Sequence, residues 1–438
     1  IGGGRGTAKP FSPDDSCLDD IFDGAMEDMR SPQLPYLTQD LWTCDRESTD
    51  IPIWIMETDE IKVTITPQYD GKVWTIYDKI RKRDILYNNK AHQPANIGAL
   101  KSWASGGAEW NWSPGIIGHS AFSETQVYLA KVETSRGPML RVYEYDRYNG
   151  TTWQVDMIIH NGTFYAHPKL TNPTDIDLRG YWWTCVAVDS TPSTRIFAPA
   201  NVVAETSRDP MRYAPWPYFA EAIENASFQG YQDAWPTDNS YIGNHQIGDM
   251  FLRIPKDAVQ TPYIGHTDLD GYTLIHGHPL NGTKFFTWGQ SGPGRFMQDF
   301  LAGGQYRQGD YTELQVGPAP TQMQNFAFPK ESTLQWTEWF KGFDGQIDKL
   351  LDQNYSVSIN YINQWIDDEF SHGSVVSDWD KFFEEHVEKD PSEILVRGTG
   401  AWGALEELRS GNRLSKGLIF ELPDEDLTST RYLEAKPW

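Results

Sequence analysis

The sequence predicts a mainly β protein: a large antiparallel β-sandwich followed by an α-helical C-terminal segment. Three observations carry this. Short alternating apolar runs recur between residues 51 and 330, cut by clusters of Gly, Pro, Asn and Asp. Helix-length amphipathic patterns are nearly absent from the same stretch. After Trp336 the hydrophobic period changes from two residues to three and four.

Taken in order, residues 1–50 are Gly-, Pro- and Asp-rich at first, lack sustained periodicity, and read as an N-terminal arm wrapped on the main domain. The β domain spans 51–340. Ile53–Met56 and Ile61–Ile65 read as strands, and Tyr69-Asp70-Gly71 turns into Val73–Tyr77, a hairpin signal. Further strands are predicted over Val127–Val132, Leu140–Tyr145, Trp153–Ile159, Tyr181–Val188, Thr273–Ile275, Phe285–Trp288 and Thr312–Val316. The loop-rich stretch from Ala198 to Asp249 holds Trp216 and Trp235 and reads as functional or cleft-lining. Residues 341–438 form the helical segment and an acidic tail. Helical spacing covers Asp344–Ile362 and Ser377–Val387; Pro391 opens a third helix over Ser392–Arg409, weakened by Gly398, Gly400 and Gly403. These helices are expected to pack against the sandwich.

Composition bounds the function. Of 438 residues, 39% are hydrophobic and 22% charged, enough for a packed core. The 18 Trp suit a β core and equally a sugar site, where indole faces stack on pyranose rings. A net charge of −24 repels phosphate backbones and anionic lipid, so nucleic acid and membrane surfaces are poor partners. No stretch approaches the ~20 apolar residues of a spanning helix. Asn-x-Ser/Thr acceptors for N-glycosylation occur at Asn111, Asn149, Asn161, Asn225, Asn281 and Asn354, and three of them read Asn-Gly-Thr, a turn signal. Together they predict a secreted glycoprotein, and Ile at residue 1 suggests a processed N-terminus with any signal peptide already removed. Cys17 and Cys44 could staple the arm and leave Cys185 in an aromatic strand, although spacing alone does not assign pairs.

Four segments set ionisable groups among aromatics. In Ser105–Trp112, two glycines permit close backbone approach to a ligand, and Glu109 beside Trp110 and Trp112 would be desolvated and its pKa raised; His119 follows shortly. A salt-bridged strand Glu is the plainer alternative. In Tyr311–Gly317, alternation puts Glu313 and Gln315 on one face and Thr312, Leu314 and Val316 on the other, either a polar concave face or a solvated edge. Trp182 and Trp183 point to opposite faces of one strand. His276 and His278, two apart, share a side and could ligate a metal, but no third ligand is evident and no cofactor is predicted.

Ile65–Val73, with Tyr77-Asp78-Lys79, resembles the opening of galactose-mutarotase-like supersandwich domains. Within that superfamily the chain looks most like an uncharacterised domain of bacterial and fungal proteins, often followed by tetratricopeptide repeats. The segments that carry this are Leu86–Asn89, Gln93–Ile97, Gly106–Asn111, Gly118-His119, Phe286–Gly289, Glu313–Gly317 and Thr321-Gln322. The resemblance implies that Glu313 matches the catalytic base of mutarotases. Thr171-Asn172-Pro173 has Pro where their acid His would stand, which disfavours simple mutarotation. Pairing Glu109 with Glu313 is then the natural replacement.

The expected function is therefore that of a secreted glycoside hydrolase. Glu109, Glu313 and His119 would be catalytic, and Trp110, Trp112, Trp182, Trp183, Trp288 and Gln315 would bind the carbohydrate. The alternatives are an epimerase, mutarotase or polysaccharide lyase on the same fold, or a non-catalytic glycan-binding protein. A lyase would draw on Arg212, Arg253, Arg295 and Arg307.

Overall fold

Strand alternation decides the architecture, because each strand must send one face inward. The structure is a computed structural model and describes residues 2–4, 43–96, 102–113, 118–205, 212–219, 237–304, 309–322, 324–398 and 400–422. Its main strands are β1 (Ile61–Thr66), β2 (Lys72–Asp78), β3 (Ala108–Ser113), β4 (Tyr128–Thr134), β5 (Gly137–Asp146), β6 (Thr151–His160) and β7 (Thr163–Asn172). Then come β8 (Leu178–Ser190), β9 (Gly248–Arg253), β10 (Tyr263–Thr267), β11 (Tyr272–Gly277), β12 (Gly282–Thr287), β13 (Asp310–Gly317) and β14 (Glu338–Asp344).

They form two large antiparallel sheets. The first runs β9-β12-β13-β8-β3-β2-β1, extended at one edge by Val202–Glu205 and Arg212–Pro215 and at the other by Trp54–Glu57. The second runs β10-β11-β14-β7-β6-β5-β4, with Arg195–Phe197 and Glu393–Val396 at its edges. The expected sandwich is thus the one observed. One continuous core fills the gap with Val63, Trp110, Trp112, Val142, Trp153, Val155, Trp182, Val186 and Leu314, all at most 1% exposed. A buried indole removes ~200 Å² from water, worth about 5 kcal/mol at ~25 cal/mol/Å². The Trp content therefore serves the core first.

Four helices longer than one turn among the described residues follow or interrupt the expectation. α1 (Gly292–Leu301), inside the β domain, was not legible as a helix because Gly292, Pro293 and Gly294 open it. Ser291 caps it by accepting from the Gly294 N–H. α2 (Tyr355–Glu369) begins only after β14 and a single turn at Ile347–Leu350, and Asn354 caps it. α3 (Ser374–His386) lays Trp379 and Phe383 against Tyr165 and His167 of β7. The third predicted helix, Ser392–Arg409, is instead the edge strand Glu393–Val396 followed by α4 (Trp402–Ser410). The apolar triplet Ile394-Leu395-Val396 suits a strand, and the free edge of β4 offers it a partner. Arg141, fully buried and paired with Asp156, donates to carbonyls of His386, Lys389 and Gly417 and so ties this segment to the sandwich.

Within Ala198–Asp249 the described part is ordered: Trp216 is buried in the core, its Nε1–H donating to the Tyr355 hydroxyl. Trp235 and Asn225 lie outside the described residues, as does Cys17 of the suggested pair with Cys44. No helix among the described residues is long and apolar enough to cross a membrane.

Candidate functional site

The outward face of the first sheet is concave and polar where β3, β8, β13, β12 and β9 lie side by side. Register aligns Glu109 of β3 with Cys185 of β8, and Cys185 with Gln315 of β13, which is itself aligned with Lys284 of β12. The same period that sends Trp110, Trp182 and Leu314 inward sends Glu109, Asn111, Tyr181, Cys185, Glu313 and Gln315 outward. Of these, Asn111, Tyr181, Glu313 and Gln315 line a cavity of about 260 Å³, while Glu109 and Cys185 are buried behind its wall. Trp103, Phe286, Trp288 and Ile247 supply its apolar lining, and Asn111, Asp249, Lys284, Glu313, Gln315 and Gln322 its polar lining.

Glu109 stands behind Asn111 and His119 and is 8% exposed. The Asn111 Nδ2–H donates to its Oε1 at 3.2 Å, and His119 Nδ1 lies 3.4 Å from the same oxygen. His119 is held by stacking on Trp103, with ring centroids 4.5 Å apart. Burial alone would raise the Glu109 carboxyl, but the His119 ring, Lys72 and Asn111 together outweigh it and hold the group below the ordinary carboxylate range. This reverses the expectation of a raised value. Sequence places Trp110 and Trp112 beside Glu109, whereas the strand period turns both indoles away from it.

Glu313 behaves oppositely. Burial first, and the Glu109 charge second, push its carboxyl up, opposed by His119, Lys284 and the Cys185 thiol. Its Oε2 accepts from Gln315 Nε2–H at 2.8 Å and from the Cys185 S–H at 3.3 Å. The two neighbouring carboxyl groups are thus driven apart in proton affinity.

The structure brings Glu109, Glu313, His119, Gln315 and Trp288 together. Trp183 does not line the pocket: it is buried with Tyr181 and Phe251, its ring 5.8 Å from the Lys284 ammonium. Trp110, Trp112 and Trp182 do not belong here: each is fully enclosed between the sheets, with Trp110 Nε1–H donating to the Gly71 carbonyl and Trp182 Nε1–H to Thr184 Oγ1. The glycines before Glu109 also have a structural reason. A Cβ on Gly107 would sit 2.2 Å from the Val73 carbonyl oxygen, so the close approach is to backbone rather than to a ligand.

Asn111, one of the six glycosylation acceptors, is spent inside the site. Its side chain is 4% exposed, donates to Glu109 and accepts from the Ser120 N–H, which leaves no room for a glycan. Asn161, Asn281 and Asn354 are exposed. Asn172 closes a turn away from the pocket, its amide donating to the carbonyls of Ile176, Phe328 and Pro329. His276 donates to buried Glu338 between the sheets, and no group of three His, Cys, Asp or Glu among the described residues is placed to hold a metal ion. Arg253 and Arg295 are not among the pocket-lining residues, and Arg295 pairs with Asp310. Asp249, Lys284 and Trp103 escaped sequence reasoning, and Gln322 entered it only as part of a segment of resemblance, without a role. The one signal was a Lys in mid-strand, Thr283-Lys284-Phe285, where an apolar residue is usual.

A TPR-domain containing protein from Parabacteroides distasonis ATCC 8503 is similar in structure, with TM-score 0.58 at 17% identity, over 71% of this chain and 50% of that one. The chain thus spans about half the length of that relative, and the likeness is one of fold. A galactose mutarotase-like protein from Lactobacillus casei ATCC 334 aligns at TM-score 0.46 and 8% identity, over 67% of this chain and 100% of that one. One from Clostridium acetobutylicum aligns at TM-score 0.44 and 10% identity, over 68% and 100%. The family described as "Domain of unknown function (DUF5107)" matches residues 29–335, which span the N-terminal part, the whole first sheet and most of the second, and the chain belongs to that family.

Proposed function

We propose that the chain is a carbohydrate-active enzyme that hydrolyses a glycosidic bond, with Glu313 as general acid and Glu109 as general base or nucleophile. The observation that carries this is the opposed proton affinity of two neighbouring carboxyl groups, raised at Glu313 in the wall of an aromatic-lined pocket and lowered at Glu109 just behind that wall. The acid must hold its proton more tightly than its partner does, and the shifts of this pair run in that direction. Trp103, Trp288 and Phe286 offer flat faces to a pyranose ring, and the amides of Asn111, Gln315 and Gln322 suit its hydroxyls. His119 orients and charges Glu109. The test is cleavage of a panel of aryl glycosides and cell-wall glycans by the full chain and by Glu313→Gln and Glu109→Gln. Turnover retained by both variants refutes the assignment.

A second reading, epimerisation or mutarotation of a free sugar, is favoured by the cavity volume, which is below the ~300–1,000 Å³ of larger ligand sites. Polarimetry on free aldoses separates it from hydrolysis. Secretion with N-glycosylation is a further part of this proposal, supported by the exposure of Asn161, Asn281 and Asn354. Enzymatic deglycosylation of protein from a eukaryotic host, read by mass, tests it.

A further inference from the structure

Lys284 is an unusual residue to find in the middle of a strand at 2% exposure. Its ammonium donates to Asp249 Oδ1 and to Gln322 Oε1. The Gln322 Nε2–H then donates to Gln315 Oε1 at 3.1 Å, and the Gln315 Nε2–H donates to Glu313 Oε2 at 2.8 Å. Every bond in this series runs the same way, each amide accepting on the Lys284 side and donating on the Glu313 side. An amide that accepts from a cation is polarised and becomes a stronger donor at its nitrogen, so aligned bonds reinforce one another.

We propose that Lys284 is a positioning residue for Glu313, acting through the side-chain amides of Gln322 and Gln315 to fix the carboxyl in the pocket and stabilise its ionised form. This rests on the reading of Glu313 as the acid–base residue and adds how its proton is made releasable. A general acid must give up a proton in the transition state. Burial and the neighbouring Glu109 both hold that proton on, and a donor relay ending on Oε2 works against them. The other groups facing Glu313 are Glu109 on β3, His119 in the loop after it, Cys185 on β8 and Tyr311 on its own strand. Asp249 faces Lys284 and partly neutralises it, which weakens the direct pull of the Lys284 charge on Glu313 and leaves the relay to add to it through contact.

The experiment titrates Glu313 directly in the full chain labelled with ¹³Cδ-glutamate, its signal identified by its loss in Glu313→Gln. Lys284→Met and Gln322→Met are compared with the parent. The expected result is an upward move of the Glu313 titration by about half a pH unit or more in each variant. Gln322 is at the half-buried end of the relay, so Gln322→Met decides the matter if Lys284→Met fails to fold. An unchanged titration in folded Gln322→Met overturns the proposal, since Lys284 would then act only through space. A titration that moves in a protein that cleaves no glycoside upholds the relay and refutes the hydrolase reading.

Discussion

Replacing Glu144 by Gln should stabilise the protein at neutral pH, by an amount that the structure fixes. Glu144, on β5, is 5% exposed and its carboxyl lies close to Gly398, which also packs on the Tyr128 ring. Its Oε1 accepts from the Tyr145 N–H, and Gly398 packs so close to Oε2 that a Cβ there would lie 2.1 Å away. Burial pushes the carboxyl up to about 8 from 4.5, against the Tyr145 N–H and Arg147. At pH 7 the folded chain therefore keeps this proton while the unfolded chain releases it. A group whose folded pKa is raised lends stability below its unfolded value and loses it as pH rises towards the folded one. From pH 4.5 to 7 the loss is about 3 kcal/mol, at about 1.4 kcal/mol per pH unit. Gln fills the same space, keeps an acceptor for Tyr145 and has no proton to lose. Urea unfolding of parent and Glu144→Gln between pH 4.5 and 8 should show curves that nearly meet at the acid end and separate steadily towards neutrality. A stability difference that does not change with pH would refute the reasoning.

Other expectations follow from the same geometry. Glu313→Gln and Glu109→Gln should each lower kcat/KM for a cleaved glycoside by about 10²–10⁴-fold without moving the unfolding midpoint by more than a few degrees. Activity should be bell-shaped in pH, its acid limb below the ordinary carboxylate range where Glu109 protonates and its alkaline limb above that range where Glu313 ionises. Trp288→Ala should weaken sugar binding in calorimetry and also cost stability, because the indole is 6% exposed and donates to the Tyr311 hydroxyl. Trp110→Ala should instead destabilise the fold by about 3–5 kcal/mol. His167, buried against Phe383 with its pKa driven down to about 3, should make the parent acid-sensitive, costing about 2 kcal/mol at pH 5. His167→Gln should flatten that part of the pH profile in thermal melts.

Which parts of this were legible in the sequence depends on range. Alternation within one strand is a local signal, so Glu313 and Gln315 were correctly set opposite Leu314, and Trp182 opposite Trp183. The role of a face is not local. Trp110 and Trp112 looked like ligand-binding residues because they flank Glu109, and the period that turns Glu109 to the outward face of the sheet makes them core. The Glu109 shift was misread for the same reason: His119, ten residues on, comes back to within 3.4 Å of it. Asp249 and Lys284 come from strands that no motif links to β3, and only sheet order brings them to one pocket. The helix expected over Ser392–Arg409 failed because an open strand edge, invisible in the local pattern, captured Ile394–Val396.

The position of β14 has a consequence for how the chain acquires its shape. Glu338–Asp344 pairs with both β7 and β11 in the interior of the second sheet, yet it begins three residues after the family region stops at 335. A ribosome that has released only residues 1–335 has therefore made every strand of the first sheet but left the second split into two unjoined halves. The two halves can meet only when the tail emerges, and Glu393–Val396 then shields the β4 margin last of all. A fragment cut to the family limits would present raw sheet edges to its neighbours and should be recovered as aggregate rather than as a domain.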